Sequence, residues 1–273
     1  MLDLQTFTAR ASYKYAPSTI RRQLVNLQKF EKWLDERNLT LSSESVIEYL
    51  QEQMDKKLDG GSIRNIFFDI QSYVKLMGIN LNLEKAREIL PRFTLKEAKW
   101  MSEEEVRKLF DAALSTSPEI AVFIALAYEY GRRPGEVLSL RWEDIDFERK
   151  IIRFPILKRR EREIAEFELK DYLIPLLSSL PREGERVFNI THRKLCKRFK
   201  RLSLFVLKKP FTPHSLRHSR ITHLRKHGIP LDVVSKYIAR HASIATTAKI
   251  YRHITEEEKS EIPESALARG ERE

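Results

Sequence analysis

The stretch from Ile120 to Tyr130, IAVFIALAYEY, is apolar nearly all round. A helix without a polar face cannot rest on a surface, so this segment predicts a buried helix at the centre of a domain core. Ser117-Pro118 starts it, since a proline in the first turn gives up an N–H that has no helical partner anyway. Gly131 ends it. At 273 residues the chain holds one large domain or two modest ones, enough to bury a core without covalent staples. No apolar run approaches the roughly 18 residues of a membrane span. The single cysteine, Cys196, rules out an internal disulfide framework and fits a reducing compartment. The N-terminus lacks the apolar core of a signal peptide, so the expected location is cytoplasmic, with no membrane partner.

The first third reads as a helical bundle. Ser18 or Thr19 caps a helix carrying Ile20, Leu24, Leu27 and Leu34 at a 3.6-residue period. Ser43 and Ser45 precede a second, with Val46, Ile47, Leu50 and Met54. Gly60-Gly61-Ser62 breaks the chain and starts a third, which Gly78 stops, and a short fourth spans Leu83 to Leu90. Lys14, Arg21, Arg22, Lys29 and Lys32 lie near the first helix, either as phosphate contacts or as ordinary surface charge. Pro91 to Trp100 is a basic connection with a helix-disfavouring proline. Ser102 and Glu105 have the spacing of a capping box opening the next helix. Residues 150–169 change character: KIIRFPI, a basic turn and IAEFEL read as a β-hairpin. The expected fold is mainly α with a small antiparallel β-sheet. Residues 1–93 form a helical domain, 94–100 a linker, 101–255 a second domain and 256–273 a polar tail.

Charge is distributed unevenly. The net charge is +11, yet residues 1–93 hold 14 Lys and Arg against 12 Asp and Glu, leaving +9 for the rest. From Arg186 to Lys226 there are 13 basic residues and no acidic one. A one-sided basic segment is the electrostatic footprint of a nucleic-acid binder, against the plainer reading of a solvated face.

Overlapping the end of that segment, Phe211 to Ile254 collects His214, Arg217, His218, His241 and Tyr251, and six of the chain's seven histidines. Cations, an imidazole and a phenol are the groups needed to attack a phosphodiester covalently. Together with three further features the pattern becomes specific. Gly131-Arg132-Arg133-Pro134-Gly135-Glu136 through Trp142 resembles the box G-x-R-x-x-E-L-x-x-L-x-W; Lys158 ends the first hairpin strand; His214-Ser215-Leu216-Arg217-His218 matches H-x-L-R-H; and His241 to Tyr251 resembles G-H-x-x-x-x-T-T-x-x-Y. In these motifs, over roughly residues 100–254, the chain resembles the tyrosine recombinases, the phage-integrase and Xer-type site-specific DNA recombinases. Two departures stand out. Ala239-Arg240 replaces the usual Leu-Gly before the histidine, and the His-to-Tyr spacing is one residue longer than the commonest form.

The resemblance implies a helical core-binding domain followed by a tyrosine-recombinase catalytic domain. It also implies the roles of the site residues. Arg133 and Arg217 hold the nonbridging phosphate oxygens through charge-assisted bonds, which the planar guanidinium suits because it cannot lose its charge. Glu136 orients Arg133. Tyr251 is the nucleophile, with Tyr237 as the alternative; a phenol of pKa near 10 needs a proton acceptor, and His214 is the candidate. His241 donates to a nonbridging oxygen, Lys158 protonates the leaving 5′ oxygen, and His218 supports the site from a different face of its helix. His223, His227 and His253 read as structural or exposed. The product is a 3′-phosphotyrosyl intermediate that needs neither metal, other cofactor nor ATP.

The implied partner is a double-stranded DNA recombination site, bound by a homodimer and paired in a homotetrameric synapse, in chromosome-dimer resolution or in integration of mobile elements. The tail after Ile254 is a candidate for reaching a neighbouring subunit. Two other readings remain: strand relaxation like that of a type IB topoisomerase, and a DNA-binding regulator that keeps the fold without catalysis.

Overall fold

Prolines and short polar side chains set where most of the helices begin. The computed structural model describes residues 1–92, 98–156 and 163–235, and the chain divides into two units, Met1–Lys96 and Glu97–Glu273.

The first unit opens with a helix that the hydrophobic spacing did not reveal, α1 (Leu4–Ser12), capped by the Asp3 carboxylate, which accepts from the Thr6 N–H at 2.9 Å. The helix expected to start at Ser18 or Thr19 is α2 (Pro17–Glu36). Its cap is Ala16, which offers no side-chain acceptor; Pro17 does the starting, through its fixed φ and missing N–H. The next, α3 (Ser43–Asp55), begins one residue before the expected caps. Ser42 and Ser45 exchange two side-chain to backbone bonds of 2.9 and 3.1 Å, satisfying both orphan N–H groups. Asp59 caps α4 (Gly60–Met77), and Gly78 closes it at φ +71°, a left-handed position that suits a residue without Cβ. The fourth expected helix is only α5 (Glu84–Glu88).

Phe7, Leu27, Phe30, Leu50, Phe67 and Ile70 fill the core of this unit. Asp69 is buried among them at 1 % exposure and is held by Arg22 at 2.8 Å and Asn26 at 2.7 Å. Burial raises its pKa against the opposing pull of Asn26 and Arg22. Of the basic residues near this helix, Arg22 therefore joins α2 to α4 rather than standing as unengaged surface charge.

The second unit is built around the all-apolar helix, α7 (Pro118–Glu129), whose residues Ile120 to Ala127 are all buried. It packs against α6 (Glu103–Thr116), α8 (Pro134–Leu138), α9 (Leu173–Ser178) and α11 (Pro213–Lys226). The Ser102–Glu105 capping box opens α6 as its spacing requires, with bonds of 2.9 and 3.1 Å. The basic helix α10 (His192–Leu207) lies against α6 and α11. A short helix, α12 (Leu231–Val233), follows.

The hairpin is present as β2 (Ile151–Ile156) and β3 (Glu163–Glu168), paired antiparallel from Ile151↔Glu168 to Ile156↔Glu163. A two-residue strand, β1 (Ile145–Asp146), adds to its other side, so the sheet has the order β1-β2-β3. Because β1 reaches only Ile151 and Ile152, Pro155 lies where that edge of β2 is open, and its missing N–H is tolerated. Ile152, Phe154, Ile156 and Ala165 face the core. Among the described residues no helix is long and apolar enough to cross a membrane.

Phe123 is fully buried and meets Phe188 edge-on at 6.1 Å. Replacing it with alanine opens a cavity at the centre of the unit and is expected to cost ~3–5 kcal/mol. Ser102→Ala removes one cap on an exposed helix end and is expected to cost only ~1 kcal/mol. Urea unfolding of the two variants should rank their midpoints in that order, and equal midpoints would contradict the central place of α7.

Candidate active site

The end of α7 and the start of α11 bring the candidate residues together. Gly131 follows α7 at φ +57°, where a side chain would be strained, and turns the chain directly into Arg132 and Arg133. Arg133 is the N-cap residue of α8, with Pro134 in the first turn. Glu136, one turn on, uses both carboxylate oxygens on it. The Arg133 backbone N–H donates to Oε2 at 3.0 Å, and the guanidinium Nη1 donates to Oε1 at 2.9 Å. The Glu136 side chain is 1 % exposed and that of Arg133 17 %. The carboxylate thus fixes the arginine backbone and guanidinium at once and leaves part of the fork open to a ligand.

Thr212 is the N-cap of α11 and Pro213 lies in its first turn. Arg217 is buried at 2 % exposure, and its Nη1 donates to the Gly131 carbonyl at 2.7 Å. The second guanidinium is therefore anchored to the turn that presents the first. The motif spacing could not show this bond, because its acceptor is a backbone atom; the glycine ahead of the arginine box was the only signal.

His214 is exposed, and its ring meets that of His218 almost perpendicularly at 4.6 Å. This corrects the reading of His218 as pointing elsewhere: residues four apart on a helix are neighbours. Burial, and then the charge of Arg217, lowers the His218 pKa to about 4, so the ring is neutral near pH 7.

Of the remaining histidines, His223 is buried and shares a 2.7 Å hydrogen bond with the Tyr128 hydroxyl, while His227 is exposed and meets Glu103 at 2.8 Å. A further brace went unread in the sequence. The Met101 N–H donates at 2.8 Å to Ser219 Oγ, which in turn donates to the Ser215 carbonyl on the same helix. The segment entering the unit is thereby fastened to α11. Beside these elements, α10 exposes Arg193, Lys194, Lys197, Arg198, Lys200 and Arg201, with no acidic residue between Arg186 and Leu231. Among the described residues no three His, Cys, Asp or Glu side chains group as a metal-binding set would.

The phage integrase family model matches residues 99–258, more than half of the chain. The chain belongs to this family, the tyrosine recombinases. It is accordingly an enzyme that breaks and rejoins DNA, and DNA is its partner. It is 27 % identical to a tyrosine recombinase of Thermosipho africanus, over 90 % of this chain and 92 % of that one. It is also 27 % identical to tyrosine recombinase XerA of Pyrococcus furiosus, over 91 % and 88 %. In fold it is similar to XerH recombinase solved in a post-cleavage complex with its difH substrate, with TM-score 0.71 and 19 % identity over 89 % of this chain and 78 % of that one. It is likewise similar to the Tn1549 transposon integrase in complex with circular intermediate DNA, with TM-score 0.69 and 15 % identity over the whole of both chains.

Of the candidate site residues, Arg133, Glu136, His214, Arg217 and His218 lie among the described residues of this tyrosine recombinase, Arg133 bonded to Glu136, Arg217 to the Gly131 carbonyl and His214 packed on His218. Lys158, His241, Tyr251 and its alternative Tyr237 lie outside them, as does the tail, 256–273.

The lowered pKa of His218 has a consequence for stability. An unfolded imidazole titrates near 6.5, so below that pH the unfolded chain takes up a proton that the folded chain refuses. The contribution of this group is complete above pH 6.5 and is lost as the pH falls toward 4, by ~3 kcal/mol in all. Urea unfolding between pH 7.5 and 4 should weaken more steeply in the parent than in His218→Asn. An NMR titration that shows His218 half-protonated near pH 6.5 would refute the assignment.

Proposed function

We propose that this recombinase cleaves DNA at specific sites through a covalent 3′-phosphotyrosyl intermediate formed by Tyr251. The observation that carries the reading is the pairing of Arg133 and Arg217 through the Gly131 turn. Two guanidiniums on one rigid turn suit a phosphodiester, whose negative charge concentrates as a fifth oxygen approaches phosphorus. Each can donate to a nonbridging oxygen, and a single such donor contributes roughly 3 kcal/mol to the transition state.

In this mechanism Tyr251 attacks phosphorus and gives its proton to His214, the exposed imidazole beside the buried arginine. His241 donates to a nonbridging oxygen. Lys158 protonates the departing 5′ oxygen, a general-acid step that supplies ~10²–10⁴-fold. The reverse attack by a 5′-hydroxyl of the exchanged strand reseals the backbone. The bond energy is kept in the phosphotyrosyl link, so neither ATP nor a metal enters the scheme. A dimer binds two inverted half-sites, and two dimers pair for exchange. A palindromic substrate, such as the difH bound by XerH, suits two inverted half-sites. The exposed cations of α10, of which Arg198 also meets Glu119 at 3.9 Å, suit the phosphate backbone flanking the scissile bond.

The test uses a pool of nicked duplexes of random sequence, in which the short cleaved fragment diffuses away and traps the protein. The parent is expected to form an SDS-resistant adduct that Tyr251→Phe abolishes and Arg133→Ala slows ~10²–10³-fold. No adduct from folded protein would favour the non-catalytic regulator. Relaxation of supercoiled plasmid with no joining of two sites would favour the topoisomerase reading. Sequencing the trapped DNA gives the site. On that site, Lys197→Gln/Lys200→Gln should reduce the slope of log affinity against log salt by about 2, roughly one unit for each phosphate no longer neutralised. An unchanged slope would remove α10 from the interface.

A further inference from the structure

Arg132 adjoins the arginine of the motif, yet the two have different surroundings. Its side chain is 1 % exposed, on the inner side of the Gly131 turn. Nε donates to the Tyr130 carbonyl at 3.0 Å, and the guanidinium lies 5.0 Å from the ring centre of Phe167 in β3. Tyr130 reaches the same strand independently. Its hydroxyl donates to the Glu168 carbonyl at 2.9 Å, and its ring packs against Phe154 and Phe167 at 5.3 Å each. A buried arginine is unfavourable unless its N–H groups and charge are engaged. Here they are engaged on the turn at one end and on the β-hairpin at the other.

We propose that Arg132 is a positioning residue for DNA cleavage, its guanidinium locking the β2–β3 hairpin to the turn that presents Arg133. In the sequence Lys158 comes two positions after Ile156, the last residue of β2. The inference rests on the reading of Lys158 given above. In the cleavage step the bond from Tyr251 oxygen to phosphorus forms as the phosphorus–O5′ bond breaks, and the leaving oxygen takes the Lys158 proton. A loosened hairpin leaves the guanidinium grip on the phosphate intact and slows only that proton transfer. Geometry alone can cost this much, since small misplacements of a catalytic group lose orders of magnitude.

The test compares two duplexes of the trapped sequence, one ordinary and one with sulfur in place of the scissile bridging O5′. A thiolate, whose conjugate acid has a pKa near 8.5, departs without a proton donor. Arg132→Met is expected to form adduct ~10- to 100-fold more slowly than the parent on the oxygen substrate, part of the ~10²–10⁴ that a general acid supplies. On the sulfur substrate it should match the parent within about threefold, as Lys158→Ala should. Arg132→Lys, which keeps the charge but not the planar fork, should recover only part of the oxygen rate. Equal losses on both substrates, or no loss on either, would overturn the proposal. If Lys158→Ala is rescued by sulfur and Arg132→Met is not, the positioning role fails and the general acid stands. If Lys158→Ala is not rescued, the reading of Lys158 fails and the proposal with it. Should Arg132→Met not fold, Phe167→Leu removes the ring under the guanidinium and decides the same comparison, with a smaller loss on oxygen and none on sulfur.

Discussion

The bond from the Arg217 guanidinium to the Gly131 carbonyl joins two parts of the catalytic unit that are 86 residues apart in the chain. Much of the site depends on it. The carbonyl belongs to the turn that ends α7, and the next two residues are Arg132 and Arg133. The same turn therefore orients one guanidinium through a hydrogen bond and presents the other through the chain itself. Because α7 is enclosed on all sides, its end cannot move without repacking α6, α9 and α11 around it. The geometry of the two positive groups is inherited from the hydrophobic core.

The electrostatics follow from the same packing. Arg133 is balanced by Glu136, whose carboxylate is almost wholly withdrawn from water. Arg217 has a neutral carbonyl as one of its acceptors, and burial, assisted by the Arg217 charge, lowers the His218 pKa. Permanent charge thus resides on guanidiniums, which cannot lose it, while the imidazole beside them is held neutral. The exposed cations of α10 extend the positive field outward from α11.

Local chemistry was readable where one residue type has one good solution. Ser102 with Glu105, Ser117-Pro118 and Gly78 each set a helix end by satisfying or removing an orphan backbone group. Where several residues competed, the spacing misled. Ser42, Ser43 and Ser45 all suit a cap, and Ala16 succeeds only because Pro17 follows it. Two elements gave almost no periodic signal: α1, short and weakly amphipathic, and β1, which is a strand only because β2 lies beside it. The contact between His214 and His218 was available from helical spacing, since residues four apart share a face.

By itself the sequence determined the chemical inventory and its order: the apolar core helix, the arginine and histidine boxes, the tyrosine beyond them and the one-sided charge. Family membership followed from that order. Tertiary structure decided what each group touches. Arg132 and Arg133 are identical side chains in adjacent positions, yet one is buried toward Phe167 and the other is braced by Glu136 at the rim of the site. Nothing in their spacing separates them. Arg133 is in extended backbone, where successive side chains point to opposite sides, and only the packed sheet and helices around the turn define which side is the interior.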